Sequence, residues 1–166
     1  MNLELKKTEL RDANALTKII NEKEVWKQLE GYPYPCPTSR IKKEIRKGLN
    51  DWKKKKAYPF TIFIDTDIAG QVILENPDKH KTHYEIGYFV SKDYWNKGVS
   101  TSAVKRITEF GFKSLKLERV WGDNDSYNPA SGKVMQKAGF KLEGRLRKHR
   151  YKNKKFVDVL IWGKLR

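Results

Sequence analysis

The sequence predicts a mixed α/β domain, and three observations carry that reading. Short runs around Phe60–Ile64, Ile68–Leu74 and Tyr84–Val90 are rich in β-branched and aromatic residues and are separated by turn residues, as a strand meander is. Apolar residues recur at three- and four-residue spacing in Ile41, Ile45, Leu49, Trp52 and again along Val99, Ala103, Ile107, Phe110, which is the helix period. The 166 residues contain no repeat and no linker, so one domain, residues 1–166, with one real core is expected.

In chain order, Leu3 to Lys7 alternates apolar and polar residues as a strand does. Asp12 then stands as N-cap to a helix with Ala13, Leu16, Ile19 and Ile20 on one side. The proline-rich segment 31–37 ends any helix after Trp26 and Leu29, and Thr38 or Ser39 caps the next one, whose outer face is basic. Asp65-Thr66-Asp67 joins the first two strands of the meander, and Asn76-Pro77-Asp78 leads into the third. A helix over about Val99–Leu115 follows, with Val104 and Gly111 beside its apolar stripe. Val120–Gly122 reads as strand and Asn128–Ala138 as helix. Two last strands, Leu142–Tyr151 and Phe156–Trp162, meet at Lys152-Asn153-Lys154-Lys155.

Hydrophobic residues make up 38% and aromatics 12%, so the charged fraction of 34% describes a lysine-rich surface on a globular protein, not disorder. No apolar run approaches the roughly 18 residues of a membrane span, and Met1 to Lys6 lacks a signal peptide's apolar stretch. A soluble, cytoplasmic protein without membrane contact is expected. The lone Cys36 has no disulfide partner and no base beside it in Tyr32-Pro33-Tyr34-Pro35-Cys36-Pro37, which points to a structural thiol. His80 and His83 have neither a Cys nor a third His nearby, so no metal is expected.

The net charge of +16 is concentrated in two segments. Residues 40–56 hold nine Lys/Arg against Glu44 and Asp51, net +7, and residues 141–166 hold ten against Glu143 and Asp158, net +8. Such fields favour anionic partners: nucleic acid, an acidic protein or a polyphosphate cofactor.

The turn Trp95-Asn96-Lys97-Gly98-Val99-Ser100-Thr101 lies between a strand and a helix. A helix start presents unpaired backbone N–H groups at the positive end of its dipole, where phosphate binds. Gly98 allows positive φ or close backbone approach, while Ser100 and Thr101 are small and add hydroxyl donors. The chain has neither a Gly-rich run ending in Gly-Lys-Ser/Thr nor three spaced glycines, so a nucleotide hydrolase or dehydrogenase is not supported. Asn128-Pro129 is an N-cap followed by a first helical residue, with Ser131 on the first turn and Gly139 as the helix stop.

Taken together, these pieces resemble the GNAT superfamily of N-acetyltransferases and, within it, the RimJ/RimL-like branch of ribosomal-protein N-terminal acetyltransferases. The likeness covers essentially the whole chain and rests on Glu85-Ile86-Gly87-Tyr88, Tyr94 to Thr101, Asn128-Pro129-Ala130-Ser131, Lys137-Ala138-Gly139-Phe140 with Glu143-Gly144, and Val157-Asp158. The superfamily's Arg/Gln-x-x-Gly-x-Gly/Ala signature is partly matched, with Trp95 at its first position and Ser100 at its last; Trp95 is common in this branch.

The resemblance implies a mostly antiparallel central sheet, flanked by helices, whose central strands splay apart, and acetyl-CoA as acyl donor. It implies that backbone groups of Lys97, Gly98, Val99, Ser100 and Thr101 hold the pyrophosphate, with Trp95 and Asn96 also at the cofactor. Tyr88, Phe89 and Val90 then line the pantetheine channel, where the alternative is that they are core, and Asn128 and Ser131 hold the cofactor arm and sulfur, where the alternative is helix capping alone. Acetyl transfer to an amine needs a neutral amine, a polarised carbonyl and a proton for the thiolate. Glu85 is the candidate base, directly or through water; otherwise it is a solvent-facing strand residue. Ser131 or a water is the candidate acid, because the position where some relatives carry tyrosine is Met135. Tyr32 and Tyr34 border the acceptor side in the resemblance, with Arg40 and the Lys148–Tyr151 segment; the other reading of the two tyrosines is that they stiffen a proline-rich loop.

The expected activity is acetylation of a protein N-terminal amine, ribosomal or acidic, by direct transfer in a ternary complex. One rival is a small amine such as a polyamine or aminoglycoside, which a cationic protein repels. Another is a non-catalytic RNA- or ribosome-binding protein using the basic segments with Trp52, Tyr58 and Tyr151. Monomer and homodimer are both left open.

Overall fold

Leu3–Lys7, the first alternating run, forms β1 and pairs antiparallel with β2, Tyr58–Ile64, Leu3 lying opposite Ile64 and Lys7 opposite Phe60. The structure is a computed structural model that describes residues 2–152 and 154–166, so Met1 and the Asn153 of the expected closing turn lie outside the described residues. The meander continues through β3, Asp67–Glu75, and β4, His83–Val90. After β5, Arg119–Asp125, the chain ends in the hairpin of β6, Lys141–Lys152, and β7, Lys155–Leu165. The strands join in one sheet of order β1-β2-β3-β4-β5-β7-β6, antiparallel except for the parallel β4–β5 pair.

Among the described residues five α-helices flank this sheet: α1 Ala13–Ile20, α2 Lys23–Trp26, α3 Thr38–Lys53, α4 Val99–Ser114 and α5 Pro129–Lys137. The α4 stripe, Val99, Ala103, Val104 and Ile107, is buried against Ile62, Val72, Leu74, Ile86 and Val90 of the sheet. On the opposite side Leu16 and Ile20 of α1 meet Ile41 and Ile45 of α3, with Ile68 and Phe89 packed on them. Each such fully buried aliphatic side chain is worth about 1.5–3 kcal/mol. Cys36 sits inside this second cluster, where burial pushes its thiol upward, as a structural cysteine requires.

Asp12 holds the expected N-cap position of α1, and the cap of α3 is corrected. Asp12 lies at the start of α1 but makes no side-chain cap; its carboxylate instead accepts from the Thr61 hydroxyl at 2.7 Å and the Glu9 amide at 2.9 Å, tying the helix entry to β2. Pro37, not Thr38 or Ser39, occupies the N-cap position of α3, which starts directly at Thr38. Trp52, at the end of α3, packs edge-on against Tyr58 and Phe60 at ring distances of 5.0 and 5.1 Å. Trp52 is half-buried and Tyr58 buried, so neither offers a free ring face beside the basic 40–56 segment.

The feature that shapes the functional end is where β4 and β5 stop pairing. Their register runs only through His83–Arg119, Tyr84–Val120 and Glu85–Trp121, after which the strands separate. Gly122 stands at that fork: a Cβ on it would lie 2.8 Å from Ile86 Cγ2, 3.0 Å from Met135 Cε and 3.2 Å from the Ile86 carbonyl oxygen. A side chain there wedges a closed apex, so Gly122→Val is expected to cost about 1–3 kcal/mol, read as a fall in melting temperature. An unchanged melting temperature would show that the fork does not depend on the missing side chain.

Among the described residues no helix is long and apolar enough to cross a membrane, and no group of three or more His, Cys, Asp or Glu is placed to hold a metal ion.

Candidate functional site

Beyond the fork, β4 remains hydrogen-bonded to β3 as far as Val90, and β5 to β7 as far as Asp125, so the two edges that face each other are left without partners. Backbone N–H and C=O groups on such edges seek an extended ligand. The resulting cleft has a volume of about 770 Å³ and takes in Glu85–Val90, Asp123–Asp125, the start of α4 and the first turns of α5.

One end of the cleft is the N-terminus of α4. Asn96 and Gly98 both have positive φ, +60° and +77°, and Gly98 is the N-cap. No side chain caps this helix, and its first internal bond runs from the Ser102 amide to the Gly98 carbonyl, so the Val99, Ser100 and Thr101 amides are not satisfied by the helix. A Cβ on Gly98 would touch nothing within 4 Å, and Gly98, Val99, Ser100 and Thr101 all line the open cleft. Trp95 anchors the turn by donating its indole N–H to the Val90 carbonyl at 2.9 Å. Three amides at a helix dipole with room in front of them form an anion cradle of the size of a phosphate.

The other wall is α5. Asn128 caps it, its side-chain oxygen accepting from the Ser131 amide at 3.3 Å, with Pro129 as the first helical residue. The Ser131 hydroxyl reaches across to the Tyr88 hydroxyl of β4 at 2.8 Å, and Tyr88 also lies 3.2 Å from the Ser131 carbonyl. Burial raises the Tyr88 phenol to about 12, with the Ser131 bond opposing, so the phenol keeps its proton throughout the neutral range. Met135 is buried under Gly122 and absent from the cleft wall.

Strand alternation assigns the two faces of β4. Tyr88 turns toward α5, whereas Glu85 lies opposite Glu75 and accepts from the Asn76 amide group at 2.8 Å on the α1–α3 side. The two candidate catalytic groups, Glu85 and Ser131, therefore line one cleft from opposite faces of the sheet.

All the residues expected at the cofactor are brought together here except Lys97, whose ammonium instead stands 5.8 Å from the Tyr94 ring centre. Tyr32 and Tyr34 lie outside the cleft. Tyr32 donates to Glu44 at 2.7 Å and lines a separate groove beside α3, and exposed Tyr34 packs against Trp26.

Glu30, Asp123, Asn124 and Asp125 escaped the sequence reading, whereas Arg150 belongs to the Lys148–Tyr151 segment expected at the acceptor side and does line the cleft. Buried Asn124 accepts from the Trp162 indole at 2.7 Å and donates to the Asn128 carbonyl at 3.0 Å, fixing the entry to α5. Arg150 of β6 gathers Asp125 at 2.6 Å, Asp123 at 2.9 Å and Glu30 at 2.8 Å, and Lys152 adds a bond to Asp125 at 3.2 Å. Burial alone would lower the Arg150 guanidinium, but its carboxylate partners outweigh that and raise it. The signal in the sequence was Asp123-Asn124-Asp125, three polar residues ending an apolar strand.

Burial would likewise raise the Asp125 carboxyl, yet Arg150, Tyr127 and Lys152 hold it below its ordinary value of 3.8. A depressed carboxyl adds stability above its unfolded value and loses it as pH falls through the folded one. Arg150→Met is expected to cost on the order of 2 kcal/mol at neutral pH, about 4–8 °C in melting temperature. The deficit shrinks below about pH 4 as Asp125 protonates in the variant. A deficit independent of pH would mean that lost packing, not the ion network, is responsible.

Comparison with known proteins agrees with this geometry. The family description "acetyltransferase (GNAT) domain" matches residues 2–141. The uncharacterized N-acetyltransferase p20 of Bacillus licheniformis is 29% identical over 167 residues, spanning 99% of this chain and 93% of its own. The putative ribosomal N-acetyltransferase YdaF of Bacillus subtilis (strain 168) is 27% identical over 164 residues, 95% of this chain and 88% of its own. The solved structure of RimL, a ribosomal alpha-N-protein acetyltransferase in complex with coenzyme A, has a TM-score of 0.92 against this chain at 18% identity, covering 99% of this chain and 94% of that one, a likeness of fold.

Proposed function

The chain belongs to the GNAT acetyltransferase family, and from that premise we propose that it acetylates a protein N-terminal α-amine of the ribosomal-protein type, by direct transfer in a ternary complex. That it is an acetyl-CoA-dependent N-acetyltransferase follows from the family. The observation that carries the finer reading is the forked cleft, with a candidate base on one face of the sheet and a hydroxyl donor on the other.

The residues present fit acetyl-CoA. The open amides of Val99, Ser100 and Thr101 suit a pyrophosphate, the free edge of β4 from Ile86 to Val90 suits an amide-bearing arm, and Lys133 and Lys137 of α5 add two cations to the lining. When bound, acetyl-CoA supplies an activated acetyl thioester. Glu85, directly or through one water, takes a proton from the acceptor ammonium so that the nitrogen lone pair is free to attack. With acetyl-CoA bound, a backbone N–H of β4 would polarise the thioester carbonyl and the Ser131 hydroxyl would protonate the leaving sulfur as the C–S bond breaks, the proton shed by the newly acylated nitrogen restoring the hydroxyl.

The charge pattern supports a protein terminus over a small polyamine. Of the carboxylates lining the cleft, Glu30, Asp123 and Asp125 are paired with Arg150, whereas Glu85 forms no ion pair with a described residue, which suits an ammonium there. Outside the cleft lies the exposed basic face of α3, which suits an acidic body behind that ammonium. A free polyamine meets the repulsion of the +16 field without that compensation. The relative named as a putative ribosomal N-acetyltransferase supports the same acceptor class.

The test is mass spectrometry of short acidic peptides with free N-termini incubated with acetyl-CoA, with spermidine as a competing acceptor. A gain of one acetyl group on the terminal nitrogen is expected. Acetylation of spermidine with no peptide modified would move the assignment to small amines.

A further inference from the structure

We propose that the outer end of the β6–β7 hairpin is a docking surface for single-stranded RNA. Tyr151 and Phe156 lie opposite each other on the paired strands with ring centres 5.0 Å apart, yet 64% and 62% of their surface remains exposed. Register shifts between Leu146 and Arg150, with Lys148 at φ +48°, so the strand bulges and turns Arg147, Lys148 and His149 outward. Asp158 pins this bulge by accepting from the Lys148 amide at 2.8 Å and from Arg145 at 2.7 Å. Arg147, Lys148, Lys154 and Lys155 are exposed and form no ion pair with a described residue.

β6 is the last strand of the sheet, and lysines on an edge strand serve to block pairing with another sheet. That role accounts for the charges but not for two large rings left open to water among them. Cations flanking exposed aromatic rings are the combination that holds a phosphate backbone while its bases stack. An acidic peptide would use the cations and leave the rings idle, and a duplex hides its base faces. The other basic segment, 40–56, lacks this combination, because Trp52 and Tyr58 are packed inward.

Arg150, which lines the cleft, immediately precedes Tyr151, so the docking surface begins one residue from the cleft wall. The choice of RNA over DNA rests on the ribosomal acceptor proposed above; the docking surface itself does not.

Fluorescence anisotropy with a labelled 12-nucleotide oligouridylate, at two salt concentrations, tests this. A DNA strand of matching length, an RNA duplex and polyglutamate serve as competitors. The Tyr151→Ala/Phe156→Ala double variant is expected to bind RNA about ten-fold or more weakly. Arg147→Glu/Lys148→Glu is expected to weaken binding and flatten its salt dependence. Both variants should keep native acetyl-CoA affinity by calorimetry, which separates failure of this surface from failure of the acetyltransferase reading. Native-like RNA binding in both variants, or polyglutamate competing as well as RNA, would overturn the proposal. DNA binding several-fold tighter than RNA would overturn the choice of RNA.

Discussion

Acetyl-CoA binding is expected to disappear from the Gly98→Trp variant, with affinity falling about 100-fold or more by calorimetry. Gly98 carries φ +77° at the N-cap of α4, and nothing lies within 4 Å of where its Cβ would be. Gly98 lines the cleft together with Val99, Ser100 and Thr101, so an indole at position 98 competes with an anion for the space at those amides. Backbone strain contributes separately, because an L-residue in the left-handed region costs about 1–2 kcal/mol. Gly98→Ala isolates that smaller cost: it should lower the melting temperature by a few degrees and bind acetyl-CoA within about ten-fold of native. Full binding by the tryptophan variant would mean that the cofactor's phosphates lie elsewhere than at this helix.

Ser131→Ala is expected to lower kcat about 100-fold while leaving the KM for acetyl-CoA nearly unchanged, the pattern of a group that acts in the transition state. Tyr88→Phe is expected to lower kcat about ten-fold, because the phenol positions the Ser131 hydroxyl across a 2.8 Å bond. When Tyr88 donates its proton to Ser131 Oγ, the serine's own proton is left free for the sulfur. Burial, which raises the phenol to about 12, keeps Tyr88 protonated and excludes it as the base, so Tyr88→Phe should leave the shape of the pH–rate profile unaltered. The double variant should be no slower than Ser131→Ala alone, since the second hydroxyl acts only through the first. Multiplying losses would show that the two act independently, and the tyrosine would then need a role of its own.

Local pattern made much of this molecule legible. The Val99–Ser114 helix followed from its apolar stripe, the Gly98 cradle from a glycine before small hydroxyl residues, and the α5 entry from Asn128-Pro129. In each case the deciding forces act within a few residues of one another: periodic burial, dipole and cap. Where a competing partner existed, local pattern was a weaker guide. Asp12 holds the cap position, but Thr61, distant in sequence, offered its carboxylate a buried partner. Thr38 and Ser39 were plausible caps, yet α3 begins one residue earlier than they allow, behind Pro37.

The sequence by itself determined the order of strands and helices, the reaction class its motifs resemble, and a net charge suited to anionic partners. Only the tertiary structure decided which charges and rings remain free. Arg150 is spent on Asp123, Asp125 and Glu30 from two other chain segments, and Trp52 and Tyr58 are spent on packing, while Tyr151, Phe156, Lys154 and Lys155 stay open to solvent. The meeting of Tyr88 with Ser131, 43 positions apart, belongs to the same class. Such pairings depend on how far β4 and β5 part after Glu85. At the point of parting Gly122 packs closely against Ile86 and Met135, a contact between strand, strand and helix that no local window of sequence contains.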